Sequence, residues 1–233
     1  MSLVESDWLK KNINNVKIID CSWHMPQTKR DGFEEYKNLH IPEAIFFDLD
    51  DNSKKNSDLP HMLVEMENWE KIVSKMGIKN EDEIIIYDNS DVISSCRCWF
   101  NFIYFGHDPK LVHVLNGGLK KWIKEKRELS NELPNIKTSK YKSSEKEELI
   151  KSKKLIDENI DIQRFKVIDA RSKERFEGKI AEPRKNLRRG CIKNSFCIPF
   201  NYCLNDDKTF KTKKDLVNVF KSCLENINEK NIV

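Results

Sequence analysis

The chain contains two similar stretches of sequence roughly 150 residues apart, and this repeat constrains its fold more than any other feature. The matching pairs are 16–22 with 165–171, 40–47 with 191–200, and 80–85 with 228–233. They follow the same order in both halves at a nearly constant spacing. We therefore predict an internal duplication, in which two related domains follow each other along the chain.

The first half alternates short apolar runs with helical patterns. Apolar runs predict strands at 16–20, 44–49, 84–87 and 111–115, and helical spacing that ends at a glycine predicts helices at 63–76 and 94–105. This alternation predicts an α/β fold in which helices flank a parallel sheet. We place the first domain at 1–127, an exposed polar linker at 128–147 and the second domain at 148–233.

Charge and cysteine usage exclude several classes of protein. The 42 basic and 38 acidic residues are interspersed, so we expect no nucleic-acid partner. No apolar stretch approaches the ~20 residues of a membrane-spanning helix, and the N-terminus lacks the pattern of a secretory signal. The seven cysteines have no zinc-site spacing, so we expect free thiols in a cytoplasmic protein without a metal or cofactor.

Six motifs, in order along nearly the whole chain, carry a family resemblance. They are 19–23 (IDCSW), 40–48 (HIPEAIFFD), 59–63 (LPHML), 114–122 (VLNGGLKKW), 169–176 (DARSKERF) and 182–184 (EPR). In these motifs the chain resembles the two-domain rhodanese family, and within it the 3-mercaptopyruvate sulfurtransferases. The resemblance implies tandem rhodanese-like domains, each a parallel sheet flanked by helices, with the active site between them. It also implies a sulfurtransferase that moves sulfane sulfur from 3-mercaptopyruvate or thiosulfate, through a cysteine persulfide, to cyanide or to a thiol acceptor such as thioredoxin.

The resemblance places the nucleophilic cysteine in a loop that follows a strand and opens a helix, where backbone N–H groups stabilise a thiolate. In the first domain this loop begins with Asp88, as expected for the family's non-catalytic domain. The repeat spacing puts the second loop at about position 236, and the sequence ends at Val233. We therefore expect an incomplete second domain, a missing nucleophile and no activity from this chain alone, as in a fragment or a truncated gene product.

Two arginines are candidates for substrate binding. Arg175 and Arg184 match the family's pair that grips the carboxylate and carbonyl of mercaptopyruvate, and a guanidinium can hold a carboxylate with two hydrogen bonds. The presence of Arg184 favours mercaptopyruvate over thiosulfate. The alternative is a pair of solvated surface arginines in the basic tract at 184–193, which can also be interpreted as an electropositive mouth for a small anionic sulfur donor.

Asp50 and His61 are candidates for proton handling. The resemblance implies an Asp and a His at this spacing that assist catalysis together with a serine of the cysteine loop. The alternative is a loop histidine that only packs. Cys191 could act as a surrogate nucleophile, since Arg188, Arg189 and Lys193 would lower a thiol pKa, but it lies in the wrong loop.

A different class of function stays open. A catalytically dead rhodanese-like module that binds a partner or an anion, or a degenerate gene product, would also fit a chain without the nucleophile. A rhodanese-related phosphatase is less favoured, because it would leave Arg175 and Arg184 unexplained.

Overall fold

The computed structural model describes residues 2–183, 187–221, 223–224 and 232–233. The chain divides into two compact units, Met1–Glu147 and Glu148–Val233. We call them unit 1 and unit 2. In the part of the chain that the structure describes, no helix is long and apolar enough to cross a membrane.

Unit 1 is built on a sheet of five parallel strands. They are β1 (Leu3–Val4), β2 (Lys17–Asp20), β3 (Ala44–Phe46), β4 (Ile84–Tyr87) and β5 (Val112–Leu115), in the order β1-β5-β4-β2-β3. All four residues of β4 are buried, as expected of a central strand that is covered on both faces. The predicted α/β fold, with a parallel sheet flanked by helices, is confirmed.

Five helices cover this sheet. They are α1 (Ser6–Asn12), α2 (Gly32–Asn38), α3 (Met66–Lys75), α4 (Ser95–Tyr104) and α5 (Gly118–Lys124). The Asp31 carboxylate accepts hydrogen bonds from the backbone N–H groups of Phe33 and Glu34 and thereby starts α2. One core centres on Trp69 between sheet, α3 and α4, and the other contains Tyr87 and Trp122. Both tryptophans are almost completely buried, so each is fully used in the packing of its core.

The segment 128–147, predicted as an exposed linker, is exposed along most of its length and also makes backbone hydrogen bonds to unit 1. Ser130 pairs with His40 as an antiparallel bridge, and the Ser139 backbone N–H donates to Ser74. Tyr141 is only 2% exposed and lies within hydrogen-bond distance of His107, with 3.1 Å between Oη and Nδ1. Polar composition suggested a solvated segment, but backbone hydrogen bonds and one aromatic side chain are enough to anchor it.

Unit 2 contains a smaller parallel arrangement. Its elements are α6 (Lys153–Ile162), β6 (Ile168–Asp169), α7 (Lys173–Phe176), β7 (Phe196–Cys197) and α8 (Lys213–Phe220). β6 pairs with β7, and Lys166 forms a parallel bridge with Ile232 on the opposite side of that strand. Each of its helices begins with an N-cap hydroxyl. The hydroxyls of Ser152, Ser172 and Thr212 each accept a hydrogen bond from the backbone N–H three residues later.

The strand register of unit 2 repeats that of unit 1. Ile168 lies beside Phe196 as Ile19 lies beside Ile45. Lys166 lies beside Ile232 as Lys17 lies beside Ile84. These partners are the ones that the sequence repeat requires.

Candidate functional site

Asp50 and His61 are in direct contact in unit 1, near the carboxyl ends of its strands. The His61 Nε2 atom lies 2.7 Å from the Asp50 Oδ1 atom. The indole N–H of Trp23 donates to the other carboxylate oxygen at 2.9 Å, and the Trp23 and His61 rings meet edge to face with centroids 4.9 Å apart. Asp50 is therefore held from two sides, and its oxygen orients the imidazole.

Arg97 on α4 contacts the main chain of His61. Its Nη2 atom donates to the backbone carbonyl of His61. Burial lowers the pKa of Arg97, although the adjacent Cys21 opposes this effect. Neither Trp23 nor Arg97 was predicted from the sequence as a member of this group. Trp23 ends one of the quoted motifs, whereas nothing in the pattern Cys96-Arg-Cys marks the arginine as a neighbour of His61.

The loop after β4 carries a carboxylate in place of a thiol. The buried Asp88 side chain accepts hydrogen bonds from the backbone N–H groups of Ser90 and Ser95, each at 2.8 Å. Burial raises the pKa of Asp88 despite these hydrogen bonds. One N–H group of the loop and the first N–H group of α4 thus bind the loop's own carboxylate, and Asp88 stands at the position where a thiol nucleophile would be needed.

Arg175 belongs to an ionic network in unit 2. Its guanidinium pairs with the Glu182 carboxylate, which also accepts from Arg171 Nη1 at 2.7 Å. Arg171 in turn grips Asp169, with 2.9 Å between Nε and Oδ2. Burial tends to raise the pKa of Asp169, but the hydrogen bonds from Arg171 outweigh it and the net shift is downward. The network fixes the orientation of the Arg175 guanidinium. The Arg175 side chain is 30% exposed. Arg184, the other predicted substrate-binding residue, lies outside the described residues.

The surroundings of several cysteines change the pKa of the thiol. Burial raises the pKa of Cys21, Cys197 and Cys203, which disfavours the reactive thiolate. Cys191 lines a cavity of about 460 Å³ together with Arg171 and Arg188. Among the residues that the structure describes, no group of three or more His, Cys, Asp or Glu side chains could hold a metal ion.

Known proteins share this fold and much of this sequence. Residues 5–125 match the family model of the rhodanese-like domain. The chain belongs to the rhodanese-like family. Within this family, thiosulfate/3-mercaptopyruvate sulfurtransferase 1, mitochondrial, of Arabidopsis thaliana is 34% identical over 237 residues, which cover 92% of this chain and 62% of the plant protein. The 3-mercaptopyruvate sulfurtransferase of Mus musculus is 31% identical, over 94% of this chain and 76% of the mouse protein.

A solved structure extends the comparison to three dimensions. The crystal structure of SseA from Escherichia coli, described for the rhodanese fold and catalytic mechanism of 3-mercaptopyruvate sulfotransferases, matches with a TM-score of 0.86 at 28% identity. The match covers 95% of this chain and 83% of that chain. The family resemblance inferred from the motifs is therefore confirmed.

Proposed function

We propose that the protein is a sulfurtransferase that moves sulfane sulfur from 3-mercaptopyruvate, or from thiosulfate, to a thiol or to cyanide through a cysteine persulfide. The observation that carries this proposal is the similarity to sulfurtransferases along 92% to 95% of the chain, through both units. Two contacts support the proposal. The reaction needs a group that handles a proton, which the ordered Asp50–His61 pair suits, and a group that binds the donor's carboxylate, which the ordered Arg175 guanidinium suits.

The first step would break one bond and form one. A cysteine thiolate attacks the sulfur of 3-mercaptopyruvate, an S–S bond forms, and the C–S bond breaks. Its electron pair leaves with the pyruvate carbon as an enolate, which takes up one proton. An acceptor thiolate then attacks the outer sulfur and releases the enzyme thiolate. The imidazole of His61, held by Asp50, is the side chain that we propose to relay that proton.

Substrate recognition would rest on arginine. In the proposed role, Arg175 and Arg184 hold the carboxylate and carbonyl of the donor. Nε and Nη2 of Arg175 already bind Glu182, so the donor would be bound through the Nη1 side of its guanidinium. The Arg171–Glu182 contact supports the role of Arg175, since it keeps the guanidinium oriented before the donor arrives.

We propose that the nucleophile lies shortly after the register position that Ile232 occupies. Ile232 occupies the register position of Ile84, and the loop after that first strand starts four residues later at Asp88. The equivalent position is about 236 by the repeat spacing.

A catalytically dead binding module is the second candidate. The observation in its favour is that burial raises the pKa of Cys21, Cys197 and Cys203, which disfavours a reactive thiolate at these three positions. Such a module would retain the ionic network around Arg171 and bind a small anion or a protein partner without turnover.

One experiment tests the proposal against this alternative. The product of the complete coding sequence is assayed for pyruvate release from 3-mercaptopyruvate with a dithiol acceptor, and for thiocyanate formation from thiosulfate and cyanide. We expect turnover, with donor KM raised about tenfold or more in Arg175→Met. The exposed Arg164 of unit 2 provides the matched control, and Arg164→Met should behave like the wild type. Donor binding without turnover would support the binding module instead.

The proposed chemistry suggests partners for the protein. We propose a small anionic sulfur donor and a thiol acceptor such as thioredoxin, with no nucleic-acid or membrane partner. Cytoplasmic location stays a prediction, and the name of the plant relative contains the word mitochondrial. Fractionation of cells that produce the tagged protein would decide between the two compartments.

A further inference from the structure

Arg97 is a half-buried arginine whose contacts are not those of an ordinary ion pair. Its Nη2 atom donates to the backbone carbonyl of His61, and no carboxylate pairs with the guanidinium in the described part of the chain. Its Nε atom is buried and has no hydrogen-bond partner among the described residues. A buried charged group without a carboxylate partner opposes folding, so its presence calls for a gain elsewhere.

The residue that Arg97 contacts has an unusual backbone. His61 adopts φ of +54°, in the left-handed region that side chains with a Cβ rarely occupy. Such a conformation persists only where surrounding contacts hold it. The donated hydrogen bond from Arg97 to the His61 carbonyl is one such contact, and the backbone N–H of Lys54 donates to the next carbonyl, that of Met62, at 2.8 Å.

The left-handed backbone decides where the imidazole points. In this conformation the His61 ring reaches Asp50, whose other oxygen is held by Trp23. The side chain is thus fixed by Asp50 and Trp23, while the main chain is fixed by Arg97. Without the hydrogen bond from Arg97, the His61 main chain could move and the imidazole would no longer be held toward Asp50. No group that touches the sulfur donor would be removed.

We propose that Arg97 is a positioning residue that holds the main chain of His61, so that the imidazole stays paired with Asp50 during sulfur transfer. The inference rests on the proposed function for its kinetic consequence, whereas its geometric part concerns unit 1 by itself. Arg97 touches neither donor nor acceptor in this assignment, and it acts through His61.

The test uses the product of the complete coding sequence, with Arg97→Met and the conservative Arg97→Lys. The first readout is the side-chain ¹⁵N spectrum of His61, assigned with His61→Gln. We expect the wild type to show one fixed tautomer with the proton on Nε2, facing Asp50, and Arg97→Met to show averaged signals. The second readout is turnover, where we expect kcat to fall on the order of 10- to 100-fold in Arg97→Met with donor KM unchanged.

Rescue and control variants separate positioning from a general loss of stability. Arg97→Lys keeps a donor for the carbonyl and should recover the fixed tautomer and most of kcat. Arg127→Met removes another arginine of unit 1, one that pairs with Asp7 and Glu125, and should leave both readouts unchanged. If Arg97→Met does not fold, the shorter and uncharged Arg97→Gln replaces it.

Two results would overturn the assignment. One is a His61 spectrum in the folded Arg97 variant identical to that of the wild type. The other is a kcat loss that merely follows the unfolded fraction and that lysine does not restore. If the wild type transfers no sulfur at all, the proposed function fails, but the His61 spectrum still decides whether Arg97 positions this residue.

Discussion

The two units carry an aspartate at the same strand end and use it in opposite ways. Asp20 ends β2 and Asp169 ends β6, at equivalent positions of the repeated register. Burial raises the pKa of Asp20 to about 6, although hydrogen bonds from Ser22 and Tyr87 oppose this effect. The pKa of Asp169 is lowered, because Arg171 binds it directly.

The residue two positions after the aspartate makes this difference. In unit 1 it is Ser22, whose backbone N–H donates to Asp20 at 2.9 Å. In unit 2 it is Arg171, which links Asp169 to Glu182 and through it to Arg175. The Asp20 carboxylate is thus buried among hydrogen-bond donors, whereas the Asp169 carboxylate belongs to an ionic network. A strand-end aspartate therefore indicates no function until its neighbours are known.

The largest expected effect concerns the packing beside these strand ends. Ile45 and Phe196 are register equivalents, but Ile45 is 8% exposed and Phe196 is 36% exposed. Ile45→Ala should destabilise unit 1 by about 2–4 kcal/mol, and Phe196→Ala should destabilise unit 2 by only ~1 kcal/mol.

The units can be measured separately. All five tryptophans, at positions 8, 23, 69, 99 and 122, lie in unit 1, so tryptophan fluorescence reports its unfolding. Hydrogen exchange of the β6 and β7 amides reports on unit 2. Equal losses for the two alanine variants would contradict the difference in packing.

The next effect is the opposite pH dependence of the two aspartates. The folded state of unit 1 binds the Asp20 proton more tightly than the unfolded chain does, so its unfolding free energy should fall as pH rises from 3.8 to about 6. The full cost, on the order of 2–3 kcal/mol, is present above that range. Asp169 has a lowered pKa, so its contribution is present above the ordinary aspartate pKa and is lost as pH falls through the lower folded value.

Difference measurements isolate these contributions. The unfolding free energy of the wild type minus that of Asp20→Asn, followed by tryptophan fluorescence, should decrease as pH rises. The same difference for Asp169→Asn, followed by hydrogen exchange in unit 2, should increase. Slopes of the same sign would show that the two strand ends share one electrostatic environment.

A smaller effect should follow from making the unit 2 strand end resemble that of unit 1. Arg171→Ser leaves Asp169 and Glu182 without their shared partner, and we expect unit 2 to lose about 2 kcal/mol. Arg164→Ser, at an exposed position of the same unit, is the control and should have little effect. Unchanged protection of the β6 amides in Arg171→Ser would mean that the network contributes nothing to stability.

The sequence was sufficient for the fold class and for the Asp50–His61 contact. Short apolar runs identified β2 and β4, and helical spacing identified α3 and α4, because those elements bury apolar side chains. The packing of segment 128–147 was not predictable, since its contacts are mainly backbone hydrogen bonds that leave no side-chain pattern. Arg97 was missed because its partner is a carbonyl 36 positions away in the chain.

The smallest expected effect on stability belongs to the Asp50–His61 pair. Asp50 is 67% exposed, and ion pairs of this kind contribute about 0–1 kcal/mol. Asp50→Ala should therefore leave the tryptophan-detected unfolding transition nearly unchanged. The adjacent Asp51→Ala is the matched control, since Asp51 is also exposed and pairs with Lys55 at 3.0 Å.

Activity is where the two aspartate variants should differ. If the Asp50–His61 pair serves the proposed proton transfer, Asp50→Ala should lower kcat on the order of 100-fold while Asp51→Ala retains it. A pair that contributes little to the fold, yet is held by Trp23 on one side and by Arg97 on the other, has no structural reason for that degree of order. Equal kcat in both variants would show that the Asp50–His61 contact is not needed for the proposed proton transfer.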